Sequence, residues 1–252
     1  MRNLDVGEVM HPGVGPIAEA ELLYVRQSHL AERLLATASP ALVLFDVGMG
    51  AASNALGARA ASERAPTTAA RLELVSFERD LEALRVALAH PAAFGLDGEP
   101  GEAARALLDE GHHETTRTSW RLEHGEVLDA LAHQARPADI VFWDPFSPRV
   151  NPVLWTVAAF TALRRAAGPR CTLFTYSAST AVRVALLLAG WAVGVGDAIG
   201  DKAATTAAAI EAQDLSRPLD RAWLARLSRP DVPLPPDAGA DVLARVSASP
   251  QF

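Results

Sequence analysis

The chain has 252 residues, enough for one large α/β domain with a sizeable core, or one such domain plus a short appendage. Its 23 basic and 30 acidic residues leave a formal charge of −7, which weighs against broad, unspecific polyanion binding but leaves room for a local basic patch on RNA. No apolar run is long enough to span a bilayer, Met1–Asp5 lacks the apolar core of a secretory signal, and the single cysteine, Cys171, excludes an internal disulfide; a cytoplasmic protein with no membrane partner is expected.

Residues 7–16 are turn-rich, and 19–36 read as one helix with Leu23, Leu30, Leu34 and Leu35 on one side, ended by Pro40. Residues 41–45 form the first buried strand, closed by Asp46-Val47-Gly48-Met49-Gly50, and a small-residue helix follows over 51–61. The second strand, 72–77, ends at Glu78-Arg79-Asp80, and its helix carries Leu81, Leu84 and Leu88. Residues 91–117 are a less regular excursion with a short helix near Leu107, in which His112-His113 reads as a solvated loop pair.

The third strand is short, 120–122, and Gly125-Glu126 leads from it into a helix over 127–131. The fourth, Ile140-Val141-Phe142-Trp143, is almost purely apolar and ends at Asp144-Pro145-Phe146-Ser147-Pro148. Leu154, Val157, Phe160 and Leu163 mark the next helix, stopped by Gly168-Pro169. A fifth strand over 171–176, in which Cys171 is a buried thiol, precedes a helix over 180–189. Strands at 191–195 and 205–210 flank a turn containing Gly200. Five strand–helix alternations require a mostly parallel sheet covered on both faces, and the last pair suits an antiparallel edge. The expectation is an α/β, Rossmann-like class I methyltransferase fold with seven strands. Residues 1–40 would cover the cofactor site, 41–212 form the domain, and 213–252 make a partly loose extension with a helix at 219–227.

Asp46-x-Gly48-x-Gly50 follows a buried strand and opens a helix, where a tight turn and a bulky ligand both call for glycine. Ser53 stands where a dinucleotide fingerprint has its third glycine, which weakens an NAD-dependent dehydrogenase. Glu78, beside Arg79, ends the next strand, where a carboxylate accepts both ribose hydroxyls of an adenosine. The competing reading is an acid favoured by a helix N-terminus, a role that Asp80 can fill. Glu126 stands where an acid commonly faces an adenine amino group. The acids at 46, 78, 126 and 144 all fall on one edge of the expected sheet, which points to an adenosyl cofactor. No Cys/His spacing resembles a metal site. Amine methyltransferases place an Asp/Asn-Pro-aromatic loop after the fourth strand to hold the acceptor nitrogen, which makes S-adenosyl-L-methionine the expected cofactor.

The stretch Asp144-Pro145-Phe146-Ser147-Pro148-Arg149-Val150-Asn151-Pro152-Val153-Leu154-Trp155-Thr156 resembles the Asp-Gly-Phe-Ala/Ser-Pro-x-x-Asn-Pro-x-x-Trp-Thr pattern of a known family. Its members carry the methyltransferase domain of the bacterial bifunctional enzyme that completes 5-methylaminomethyl-(2-thio)uridine at the tRNA wobble position, or are stand-alone relatives. Glu19 with Tyr24-Val25, Leu30-x-x-Arg33, Gly48-Met49-Gly50 and Glu78 also match, and the resemblance covers about residues 7–228.

It implies a SAM-dependent N-methyltransferase without the flavin-dependent half, acting on a tRNA uridine. Asp144 would hold or deprotonate the acceptor amine, and Phe146 would wall its pocket beside Pro145 and Ser147. Met10, His11 and Tyr24 would fold over the cofactor, Arg149 and Lys202 would be phosphate contacts, and Trp155 would be helix core. The chain departs from the pattern at Met49, at Pro145, which replaces glycine, and at Ala203, which replaces a basic residue after Lys202. A small-amine methyltransferase and a non-catalytic nucleotide-binding protein are the competing functions.

Overall fold

The computed structural model describes residues 17, 20–198, 204–229 and 231–252. The described elements begin with a π-helical segment, Ala20–Arg26, followed by helix α1, Leu30–Ala36. The expected single helix over 19–36 is broken here because His29 takes a left-handed conformation (φ 52°). Side chains at the break satisfy the backbone: the Ser28 hydroxyl donates to the Val25 carbonyl and the Gln27 amide to that of Leu23. Leu35, expected in the apolar stripe, is 58% exposed because it lies about 100° around α1 from buried Leu34.

The remaining strands and α-helices run β1 Ala41–Val47, α2 Ser53–Arg64, β2 Arg71–Glu78, α3 Glu82–Ala89, α4 Pro91–Phe94, α5 Glu99–Glu110 and β3 His112–Glu114. They continue with β4 Thr118–His124, α6 Val127–Leu131, β5 Ala138–Trp143, α7 Val157–Arg165, β6 Ala167–Thr175, α8 Thr180–Leu188, β7 Ala192–Gly196, β8 Thr205–Ala209 and α9 Val242–Ser247. Among the described residues the sheet has eight strands, in the order β3-β4-β2-β1-β5-β6-β8-β7. The strand missing from the expected seven is β3, so His112 and His113 pair antiparallel with Arg121 and Trp120 rather than lying in a loop. The excursion over 91–117 is more regular than expected, with a 12-residue helix in α5. Gly168 and Pro169 lie inside β6, and α7 ends before them.

Strands β4, β2, β1, β5 and β6 are parallel, and β8 and β7 add antiparallel beyond them. All seven residues of β1 are buried, as a central parallel strand covered on both faces requires. Alternate residues feed two cores. Leu42, Leu44, Ile140, Phe142 and Trp120 pack under Tyr24, Leu34, Ala58, Leu84 and Leu107. Val43, Phe45, Val141, Trp143 and Leu173 pack under Phe160, Leu163, Val182, Trp191 and Trp223.

The tail expected to be partly loose is docked on the second face. Leu219, Trp223, Ala238, Val242 and Val246 are buried there. Gln251 accepts from the Val193 amide and donates to the carbonyls of Val193 and Leu219. The expected helix at 219–227 is 3₁₀ over Arg221–Ser228.

Between β1 and β5 the strand order reverses direction, and the crevice outside the carboxyl ends at such a reversal is where open α/β sheets bind ligands.

Candidate active site

Two loops meet at that crevice. The turn after β1 is anchored by the Gly48 and Met49 amides, which both donate to the Phe77 carbonyl (3.1 and 3.4 Å). The loop after β5 is anchored by the Asp144 amide, which donates to the Val47 carbonyl at 2.8 Å. Gly48 has φ +83°, and a Cβ there would meet the Asp144 carbonyl oxygen at 2.6 Å and Pro145 Cα at 2.7 Å. The glycine that the sequence suggests for ligand approach is thus required first by contact between the two loops. Gly50 (φ +55°) turns its amide onto Glu78 Oε2 at 3.0 Å. Met49 is buried in the first core.

The acids at the strand ends fall into two groups. Asp46 is fully buried; its Oδ2 accepts from the Ser76 hydroxyl at 2.8 Å, and Ser76 Oγ accepts from the Trp120 indole at 3.0 Å. Burial pushes the Asp46 carboxyl up to about 7, with the Asp144 and Glu78 charges adding to the effect and Ser76 opposing it. Its Oδ1 is buried and has no hydrogen-bond partner. Glu78 holds the turn together, accepting from the amides of Gly50, Arg79 (2.9 Å) and Asp80 (3.1 Å). Burial still raises its carboxyl above the usual range, against those three bonds. Asp80, one residue before the N-cap Leu81, accepts from the Glu82 amide at the start of the following helix.

Glu126 differs from these. It is exposed, like Arg79, with which it makes a 3.5 Å ion pair on the rim. Exposed pairs of this kind contribute little to stability.

The Asp144 loop is held on every side. Asn54 Nδ2, from the first turn of α2, donates to Asp144 Oδ2 at 2.7 Å. The Tyr176 phenol donates to the Pro145 carbonyl at 3.0 Å, and the Trp155 indole to the Phe146 carbonyl at 2.8 Å. Tyr176 and Trp155 stand edge to face with centroids 5.7 Å apart. Ser147 accepts from the amides of Val150 and Asn151, closing a turn that leaves Arg149 exposed. Trp155 is buried in the second core, as expected, though in a 3₁₀ turn, and it ties down the loop. Tyr24 is 1% exposed with its ring 5.1 Å from Phe142, so it packs beneath the β5 strand end instead of closing over the crevice. Met10, His11 and Lys202 lie outside the described residues, as do Glu19, Gly200, Asp201 and Ala203.

Asn54, Ser76, Trp120 and Tyr176 are the supporting residues that sequence reasoning misses. Each reaches its partner from another element, a relation that spacing does not encode. Away from the crevice, a cleft of about 440 Å³ runs along the first face past Arg33, Asp139, Arg170, Thr172 and Phe174. Asp139 and Arg170 lie near the amino ends of β5 and β6, so this cleft is separate from the Asp144 loop. Burial raises the Cys171 thiol further from ionisation, which suits a packing residue in β6. Among the described residues no cluster of His, Cys, Asp or Glu could hold a metal ion, and no helix is long and apolar enough to cross a membrane.

The crevice fits an adenosyl cofactor in its own residues. It offers a buried acceptor without a partner at Asp46, a strand-end carboxylate at Glu78, and a turn with two positive-φ glycines. A family model described as S-adenosyl-L-methionine-dependent methyltransferase matches residues 105–211. The tRNA 5-methylaminomethyl-2-thiouridine biosynthesis bifunctional protein MnmC of Burkholderia mallei strain SAVP1 is 33% identical over 199 residues, and that of Burkholderia pseudomallei strain 668 matches equally. These matches cover 74% of this chain, and they span only 30% of the length of those relatives. The crystal structure of MNMC2 from Aquifex aeolicus superposes with a TM-score of 0.72 at 26% identity, covering 96% of this chain and 76% of that one. The chain therefore has the α/β class I methyltransferase fold and carries an S-adenosyl-L-methionine-dependent methyltransferase domain related to that of the MnmC proteins.

Proposed function

We propose that this domain methylates the aminomethyl nitrogen of a modified wobble uridine in tRNA, in the cytoplasm. The observation that carries this reading is the Asp144-Pro145-Phe146 loop, pinned at the strand-order reversal by Asn54, Tyr176 and Trp155 beside the cofactor turn. The names of the relatives agree with such an acceptor. The bound cofactor supplies an activated methyl group that carries its own leaving group. The chain then has to bind it, present an unprotonated amine in line, and exclude competing geometries.

In this reading Asp46, Gly48, Met49, Gly50 and Glu78 hold the cofactor, with Arg79 and Glu126 at its rim. Glu78 takes a ribose hydroxyl with its one remaining acceptor site, and buried Asp46 supports the turn from beneath. Asp144 holds the acceptor nitrogen and takes its proton, since a carboxylate beside an aliphatic amine stabilises the ammonium form and accepts from it. Phe146, Pro145 and Ser147 shape the acceptor pocket, and Tyr24 supports it from beneath. Arg149, exposed on the loop, contacts phosphate, a role the resemblance also gives Lys202, and it gives Met10 and His11 a place over the cofactor.

A small amine is the second reading, favoured by the formal charge of −7. Calorimetric titration with S-adenosylmethionine, its demethylated product and NAD, followed by methyl transfer to undermethylated tRNA and to free aliphatic amines, separates these readings. Binding of the first two ligands and transfer to tRNA alone is the expected outcome. Transfer only to free amines would replace the tRNA assignment.

A further inference from the structure

Asn54 is 3% exposed, in the first turn of the helix that grows out of the glycine turn. Its Nδ2 donates to Asp144 Oδ2 at 2.7 Å, 90 residues away in sequence. Its Oδ1 is buried with no hydrogen-bond partner. A buried amide acceptor left unsatisfied costs stability, and a native structure that keeps one warrants a reason. Turning the amide over would set its oxygen against a carboxylate oxygen, so the donor end belongs on Asp144. An apolar residue of similar size would avoid the orphaned acceptor but would leave the carboxylate without this donor.

We propose that Asn54 is a positioning residue for methyl transfer: its amide fixes the rotation of the Asp144 carboxylate and ties that orientation to the glycine turn of the cofactor site. The inference rests on the reading of Asp144 as the acid that faces the acceptor. Two effects follow from the one hydrogen bond. A donor on Oδ2 favours the ionised carboxylate, the form able to hold an ammonium or take its proton. Because the donor stands on α2 directly after the turn, any shift of that turn rotates the acid. Among the described residues, titratable groups near this carboxylate include Asp46 from β1, with Glu78 from β2 behind it, and the Tyr176 phenol just after β6. All of these remain in Asn54 variants, so differences report on Asn54 itself.

The test compares the full-length protein with Asn54→Ala, Asn54→Asp and Asp144→Ala. It measures S-adenosylmethionine affinity, the single-turnover methyl-transfer rate on undermethylated tRNA across pH, and the Asp144 carboxyl titration by carbon NMR, assigned with Asp144→Asn. Asn54→Ala is expected to slow transfer by about tenfold to a hundredfold, the scale of a misplaced reacting group, with cofactor affinity within about threefold. Asn54→Asp sets two carboxylates at one hydrogen bond, so they share a proton. The Asp144 midpoint and the acid limb of the rate profile should both rise by about one pH unit or more.

A structural role alone would lower the melting temperature without moving either midpoint. Wild-type rate in Asn54→Ala, or an unmoved Asp144 midpoint in folded Asn54→Asp, would overturn the inference. If Asn54→Ala does not fold, the near-isosteric Asp variant decides; if no acceptor is methylated, the NMR midpoint decides. An inactive Asp144→Ala beside fully active Asn54 variants would remove this inference alone, whereas an active Asp144→Ala would remove the reading beneath it as well.

Discussion

Asp46 and Glu78 look alike in the chain, yet their surroundings give them different physics. Asp46 is sealed beneath the turn with one oxygen unpartnered, and its carboxyl is pushed up to about 7 by burial. An unfolded aspartate titrates near about 4, so the folded state holds a proton that the unfolded state releases, and stability falls as pH rises from about 4 through about 7. The loss attributable to this residue is on the order of 4 kcal/mol at most. Asp46→Asn keeps an acceptor for Ser76, so the difference in unfolding free energy between variant and wild type should grow in favour of the variant over that window. Chemical denaturation at pH 4.5 and 7.5, on the order of the window's two ends, measures it; a pH-independent difference would place the ionisation of Asp46 elsewhere. Glu78 instead spends its oxygens on three backbone amides of the turn. Glu78→Ala should weaken cofactor binding by about tenfold or more, as the turn loosens and the ribose acceptor is lost, and unchanged calorimetric affinity would remove that assignment.

At the scale of elements, the turn after β1 and the loop after β5 form one unit. The Cβ of Gly48→Ala would sit 2.6–2.7 Å from the Asp144 and Pro145 backbone, at a φ that side chains disfavour by about 1 kcal/mol. That variant should lose cofactor binding and transfer together, whereas Asp144→Ala should lose transfer alone; calorimetry beside the rate assay separates the two patterns. The C-terminal segment supports a helix in a similar way. Asp237 accepts from the Val157 and Ala158 amides at the start of α7, both at 2.9 Å. Asp237→Ala should cost about 1 kcal/mol in denaturant unfolding, the usual worth of such a cap.

The alternating elements, the strand-end acids and the Asp144 loop were legible because each is a local pattern: a buried run, then a turn, then helical spacing. The β3 strand was not, because His112-His113-Glu114 has no apolar face and is defined only by pairing with β4. The break at His29 was hidden because apolar spacing continues across it. Asn54 and Tyr176 were invisible for the same reason: their partners are 90 and 31 residues away.

For the whole molecule, the two-faced sheet explains how an acidic protein can present one concentrated site. Both cores converge on β1 and β5, whose residues are all buried except half-buried Asp139 near the amino end of β5. The tail, Pro/Asp-rich and read as partly loose, closes the second core through Trp223, Val242 and Val246 and clasps β7 through Gln251. Composition alone does not reveal this, since the few apolar residues that dock it are separated by prolines and charges.

The central claim is methyl transfer to tRNA at the Asp144 loop, and single-turnover incubation with undermethylated tRNA and methyl-labelled S-adenosylmethionine tests it most directly. Nucleoside mass analysis of wild type should find one added methyl group on the aminomethyl nitrogen of the wobble uridine, with none in Asp144→Ala. Label on another nucleoside, or equal transfer by the variant, would contradict the account.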